Sequence, residues 1–96
     1  VTRWRLTPAA RNDLSEIWDF TAERWDQEQA QTYVTEIKVA LERVAARPDR
    51  GQACDEIRAG YRRYAIGSHL IFYVDSDEGI VVVRILHQRM DPTRHV

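Results

Sequence analysis

Residues 61–91 read YRRYAIGSHLIFYVDSDEGIVVVRILHQRMD, and the punctuation of this stretch decides the fold. Three runs rich in β-branched and aromatic residues are separated by two clusters of turn formers. Gly67-Ser68 suits a two-residue type II′ hairpin turn, since glycine accepts positive φ at the first central position. A second turn is expected at 75–79, where Asp, Ser and Gly gather. The segment therefore predicts an antiparallel meander with strands at about 61–66, 69–74 and 80–87. A Gly67-Ser68 turn pairs Ile66 with His69, Tyr64 with Ile71 and Arg62 with Tyr73. On the last strand, Arg84 and Leu86 should point one way and Val83, Ile85 and His87 the other. Both sheet faces are apolar enough to need cover, one by helices and the other as a groove for a partner. The last strand leaves the sheet through His87-Gln88-Arg89-Met90-Asp91, which places polar side chains at a rigid exit.

Upstream, the period changes from two to about 3.6. Arg3-Trp4-Arg5-Leu6 alternates like a short strand. Thr7-Pro8 then supplies a helix N-cap and a first-turn proline. Ala10, Leu14, Ile17, Trp18, Thr21 and Trp25 recur at helical spacing, which predicts a helix over about 8–25. Asp26 and Gln29 form a D-x-x-Q capping box for a second helix, with a stripe of Ala30, Tyr33, Val34, Ile37, Leu41, Val44 and Ala45. Pro48 ends it. So short a link predicts an antiparallel helix hairpin. Residues 48–60 read as a loop. The expected fold is α+β, one domain over residues 1–96: an N-terminal strand, then a helix hairpin packed on a small antiparallel β-sheet.

A chain of 96 residues supports one core but no large enclosed cavity. The net charge of −1 gives no global argument for nucleic-acid binding. The charge is uneven: residues 1–57 carry eight basic and eleven acidic side chains, and residues 58–96 carry six and four. The sheet half is thus the face better suited to an anionic partner. The lone Cys54 excludes an internal disulfide and a thiolate metal cluster, and fits a reducing cytoplasm. No apolar run approaches the ~20 residues of a membrane span.

His69, His87 and His95 lack ligand spacing, so no metal is expected, and no cofactor loop is present. Neither Ser68 nor Cys54 sits in a nucleophile motif. Acid–base cleavage of RNA needs a base, a proton donor and cations on the phosphorane. Arg62, Arg63, His69, Tyr73, Arg84, His87, Arg89 and His95 are suitable types within the sheet half. The competing reading makes those arginines rim residues and the histidines strand caps. Trp18 and Trp25 on the first helix, with Tyr33, suggest an aromatic stripe extending beyond the internal contact, while Phe20 lies off that stripe.

Four features together resemble the ParE branch of the RelE/ParE toxin superfamily: the opening RWRLTPAARNDLSEIW, a helix hairpin ending in AARP, the hairpin GYRRYAIGSHLIFY, and VVRILHQRMD. The likeness runs over residues 3–91. It implies a RelE/ParE-like fold and the toxin of a type II toxin–antitoxin module. It implies a ParD-like antitoxin that wraps the helix hairpin and sheet in a hetero-oligomer. It also implies DNA gyrase as the target of the free toxin, and operator DNA bound only indirectly, through the antitoxin. The ribosome-dependent ribonuclease branch carries an Arg where this chain has Leu70, lysines on the strand before it, an Arg matched by Arg89, and a Tyr where this chain has His95. The only lysine here is Lys38, on a helix.

The resemblance therefore favours a non-catalytic gyrase inhibitor that arrests bacterial growth, with a RelE-like mRNA interferase as the alternative. The residues expected at the target are Arg84, Arg89, Met90, Arg94 and His95. Those expected at the antitoxin are Trp18, Trp25, Tyr33, Tyr64 and Tyr73. No residue is assigned a catalytic role.

Overall fold

Thr7 marks the change from strand to helix. The computed structural model describes residues 3–96. In it Thr7 keeps extended backbone while its Oγ1 accepts from the Ala10 N–H at 3.1 Å and donates to the Val83 carbonyl at 2.7 Å. One hydroxyl thus caps α1 (Pro8–Arg24) and ties its start to the sheet. Pro8 occupies the first turn, where its missing N–H has no helical partner to lose. Asp26 repeats the device for α2 (Gln27–Ala46), accepting from the Gln29 N–H at 2.7 Å. Only Trp25 and Asp26 separate the helices, so the hairpin is tight and antiparallel.

Five strands form one mixed sheet in the order β1-β5-β4-β3-β2. They are β1 (Trp4–Leu6), β2 (Gln52–Ala53), β3 (Arg62–Ile66), β4 (His69–Ser76) and β5 (Gly79–His87). The β3–β4 register is the expected one: Ile66 faces His69, Tyr64 faces Ile71 and Arg62 faces Tyr73. Gly67 has φ of +55° and, among the described residues, no non-glycine residue has positive φ, which fits a II′ rather than a I′ turn. The first strand runs parallel to β5, not antiparallel, because the helix hairpin carries the chain across one sheet face between them.

Three further details depart from the sequence-based expectation. The β4–β5 turn shrinks to Asp77 and Glu78, since cross-strand pairing extends through Asp75↔Ile80 and Ser76↔Gly79. Within 48–60, residues Pro48–Arg50 make a 3₁₀ turn and β2 pairs with Arg62 and Arg63. A register shift also separates the pairs Phe72↔Arg84 and Tyr73↔Val82, leaving Val83 as an extra residue on β5. This bulge breaks the simple alternation read from sequence. Ile80 and Val82 before it and Ile85 after it all join the helix-side core.

That core holds Ile17, Ile37, Leu41, Val44, Ile71 and Tyr73 among others. Each large aliphatic side chain buried there contributes roughly 1.5–3 kcal/mol, so packing, more than propensity, holds the hairpin in place. A second cluster of Cys54, Phe72 and Leu86 lies apart from the first. Ile57 and Tyr61, from the loop before β3, and Val96, beyond β5, pack against it, so this cluster is capped rather than left as a partner groove.

Candidate functional site

The open groove lies on the helix side, where α1 passes the exit end of β4 and β5. Two adjoining hollows of about 220 and 260 Å³ share Phe20, Thr21, His69 and His87. Ile17, Ile85 and Met90 extend the first; Trp25, Gln29 and Tyr33 extend the second. Four large apolar side chains are exposed among the described residues, and three of them line this groove: Phe20 at 62%, Trp25 at 71% and Met90 at 41%. The cause is local. Phe20 lies off the buried stripe of α1, and Trp25 falls on its C-cap, where the helix ends and the side chain turns outward. Arg24 lies 5.8 Å from the Phe20 ring centroid and places a cation beside the aromatic face.

The groove floor is polar. Tyr33 Oη lies 2.6 Å from His69 Nδ1 and accepts from the Ser68 N–H at 3.1 Å. The same hydroxyl lies 3.3 Å from the Ile66 carbonyl, and the direction of its bond to Nδ1 follows the imidazole tautomer. His87 is its direct cross-strand neighbour, with ring centroids 5.4 Å apart at 79°. The Arg89 N–H donates to His87 Nδ1 at 3.1 Å. Burial pushes the His69 pKa below its ordinary value of 6.5, the neighbouring His87 adds to that, and Asp13 opposes both. Burial raises the Tyr33 pKa. Both groups are therefore neutral near pH 7, which suits an apolar occupant.

Beside the groove sits the one buried charged side chain among the described residues, Asp13. It takes the Arg84 guanidinium in a fork, Nε to Oδ2 at 2.7 Å and Nη2 to Oδ1 at 2.8 Å. Its Oδ2 also accepts from the Ile85 N–H at 3.0 Å. Arg84 Nη1 reaches the other way and donates to the His95 carbonyl at 2.8 Å. These hydrogen bonds to Asp13 are the main cause of the raised Arg84 pKa.

The residues expected at the antitoxin separate under this geometry. Trp25 and Tyr33 line the groove. Trp18 is half-buried outside it, and Tyr64 is half-buried against the helix-side core. Tyr73 requires correction as a contact residue. It is 0% exposed; its hydroxyl donates to the Pro48 carbonyl at 2.7 Å and accepts from the Gly51 N–H at 2.9 Å. A Cβ at position 51 would overlap that hydroxyl, so the close approach needs glycine there.

Of the residues expected at the target, Met90 lines the groove and Arg89 is exposed beside it. Arg94 and His95 lie on α3 (Pro92–His95), Arg94 exposed and His95 half-buried. Arg84 is half-buried and held, with three of its five N–H groups donated to Asp13 and the His95 carbonyl. Phe20 and Asp13 join the site without a signal in the sequence reading. Phe20 falls outside the periodic stripe, and Asp13 carries no local sign of its long-range partner. Of the types gathered for RNA chemistry, His69 and His87 meet, whereas Arg62 turns away to donate to the Gly51 carbonyl at 2.8 Å.

The fold has a solved counterpart. It superposes on a solved structure of a chromosomal ParDE TA system from P. aeruginosa with a TM-score of 0.77, covering 90% of this chain and 95% of that one at 18% identity. The family profile for the ParE toxin of the type II toxin–antitoxin system parDE matches residues 4–92. Toxin ParE1 of Mycobacterium tuberculosis is 51% identical over 96 residues, covering 99% of this chain and 98% of the relative. Toxin ParE1 of Caulobacter vibrioides is 40% identical, covering 97% and 96%. Toxin ParE of Escherichia coli is 29% identical, covering 95% and 89%. The chain belongs to the ParE toxin family.

Proposed function

We propose that this chain is the toxin of a ParDE-type module that inhibits DNA gyrase by direct binding and is neutralised by a ParD-like antitoxin. The antitoxin seats an apolar segment in the groove, against Phe20, Trp25, Tyr33 and Met90. Arg89, Arg94 and the α3 turn form the target-facing end, and operator DNA is met only through the antitoxin. The observation that carries the choice of a binding mechanism is Leu70. Where the nuclease branch needs a guanidinium, this side chain packs against the Phe72 and Leu86 cluster. Loss of one fixed donor to a developing anion removes about 2.7–4 kcal/mol of transition-state stabilisation. The test is supercoiling by purified gyrase with toxin in excess, then with antitoxin added. Inhibition relieved by the antitoxin is expected; untouched supercoiling would overturn the proposal.

A second reading, a ribosome-dependent mRNA interferase, draws on one observation: His69 and His87 pair across strands with Arg89 adjacent. It requires message cleavage in a translation extract that disappears with Arg89→Ala.

A further inference from the structure

Arg84 sits immediately after the β5 bulge, with Val83 as the extra residue. The bulge re-aims it, so that one guanidinium spans two elements distant in sequence. On one side it holds Asp13 of α1 in a two-bond fork; on the other it donates to the His95 carbonyl at the end of α3. The side chains are 8% exposed at Asp13 and 22% at Arg84. Burying such a pair forfeits hydration that the mutual attraction offsets only in part, and apolar replacements are often as stable. Stability alone therefore does not account for it. What the pair supplies is geometry, since a planar fork fixes direction as well as distance.

The α3 turn needs that help. It is four residues long, too short to hold its shape alone. Asp91 caps it by accepting from the Thr93 N–H at 3.0 Å and the Thr93 hydroxyl at 2.7 Å, but these bonds lie within the segment and are exposed. Among the described residues, two features anchor it to the rest of the molecule: Val96 against the second apolar cluster, and the His95 carbonyl on Arg84. Only the second is directional.

We infer that Asp13 and Arg84 are positioning residues of the toxin: a part-buried clamp that holds α3, with Arg94 and His95, in the orientation that engages the target. This rests on the reading of α3 as part of the target-facing end, and it holds for any target met there. Arg84 touches the target through no atom of its own; it acts by fixing the turn.

The test uses the full chain carrying Asp13→Asn with Arg84→Met. The introduced asparagine keeps an oxygen for the Ile85 N–H, the introduced methionine fills the aliphatic space, and no charge is left buried alone. Three quantities are read: hydrogen exchange at the α3 amides of Arg94 and Val96, exchange across β4 as a measure of the fold, and growth arrest on expression without antitoxin. The clamp predicts α3 exchange at least about tenfold faster, β4 exchange unchanged, and growth arrest needing about tenfold more toxin. Unchanged α3 exchange in a folded variant would overturn the inference, as would a loosened α3 with full growth arrest. Arg84→Lys, which keeps a cation beside Asp13 but loses the fork, carries the same comparison if the double variant does not fold. Wild-type toxin that arrests growth but leaves gyrase untouched would sink the gyrase reading alone, and the variant comparison would still judge the clamp.

Discussion

Tyr73 illustrates how a single residue can be read correctly in type and wrongly in place. Its aromatic ring and alternating position make it a fair surface candidate from sequence. Its environment instead depends on Gly51, a partner 22 residues away that no local pattern reveals. Tyr73→Phe should lower stability by about 1–3 kcal/mol, because the Gly51 N–H and Pro48 carbonyl lose their partner in a dry site. Urea unfolding measures this, and antitoxin affinity of the folded protein should stay unchanged. His69 gives a second prediction. Its folded pKa lies below the unfolded value, so between the two the unfolded chain binds more protons and stability rises with pH. Stability should fall as pH drops below about 6.5 through the folded pKa, and be unaffected by this group above about 7. Urea midpoints between pH 7.5 and 5 should show a shallower slope in His69→Asn, whose amide can still pair with the Tyr33 hydroxyl as donor or acceptor.

At the scale of elements, both helices are legible because their caps and stripes are local: Thr7 and Asp26 act within three residues of themselves. The hairpin register is legible because Gly67-Ser68 fixes it. The bulge is not, since no local pattern marks Val83 as the extra residue, and the partner of the neighbouring Arg84, Asp13, lies 71 residues away. The two-residue β2 is equally hidden, being defined by its pairing with β3 rather than by its composition. The parallel docking of β1 depends on Gly79, whose φ is +141° and whose missing Cβ leaves room for the Arg3 carbonyl oxygen. That carbonyl accepts from the Ile80 N–H at 3.2 Å. Gly79→Ala should displace β1 from β5 at a cost above about 1 kcal/mol. Amide exchange at Ile80 and Val82 is the measurement, with faster exchange expected.

At the scale of the whole molecule, the groove arises where a helix terminus, a hairpin end and a strand exit meet, so it belongs to no single stretch of sequence. Trp25, Tyr33 and Met90 carry a signal in the sequence, while Phe20 does not, because its role depends on exposure rather than periodicity. Phe20→Ala with Trp25→Ala should leave unfolding stability within about 0.5 kcal/mol, as both side chains are largely in water. The same pair should weaken antitoxin binding by at least about 2 kcal/mol in a calorimetric titration, as expected for aromatic anchors. The mode of action turns on stoichiometric binding as opposed to turnover. Gyrase supercoiling measured against the toxin-to-gyrase ratio reads that difference directly. A binding inhibitor predicts loss of activity that saturates near equivalence and returns on addition of antitoxin. Full supercoiling at every ratio, together with Arg89-dependent message cleavage by substoichiometric toxin in a translation extract, would contradict it.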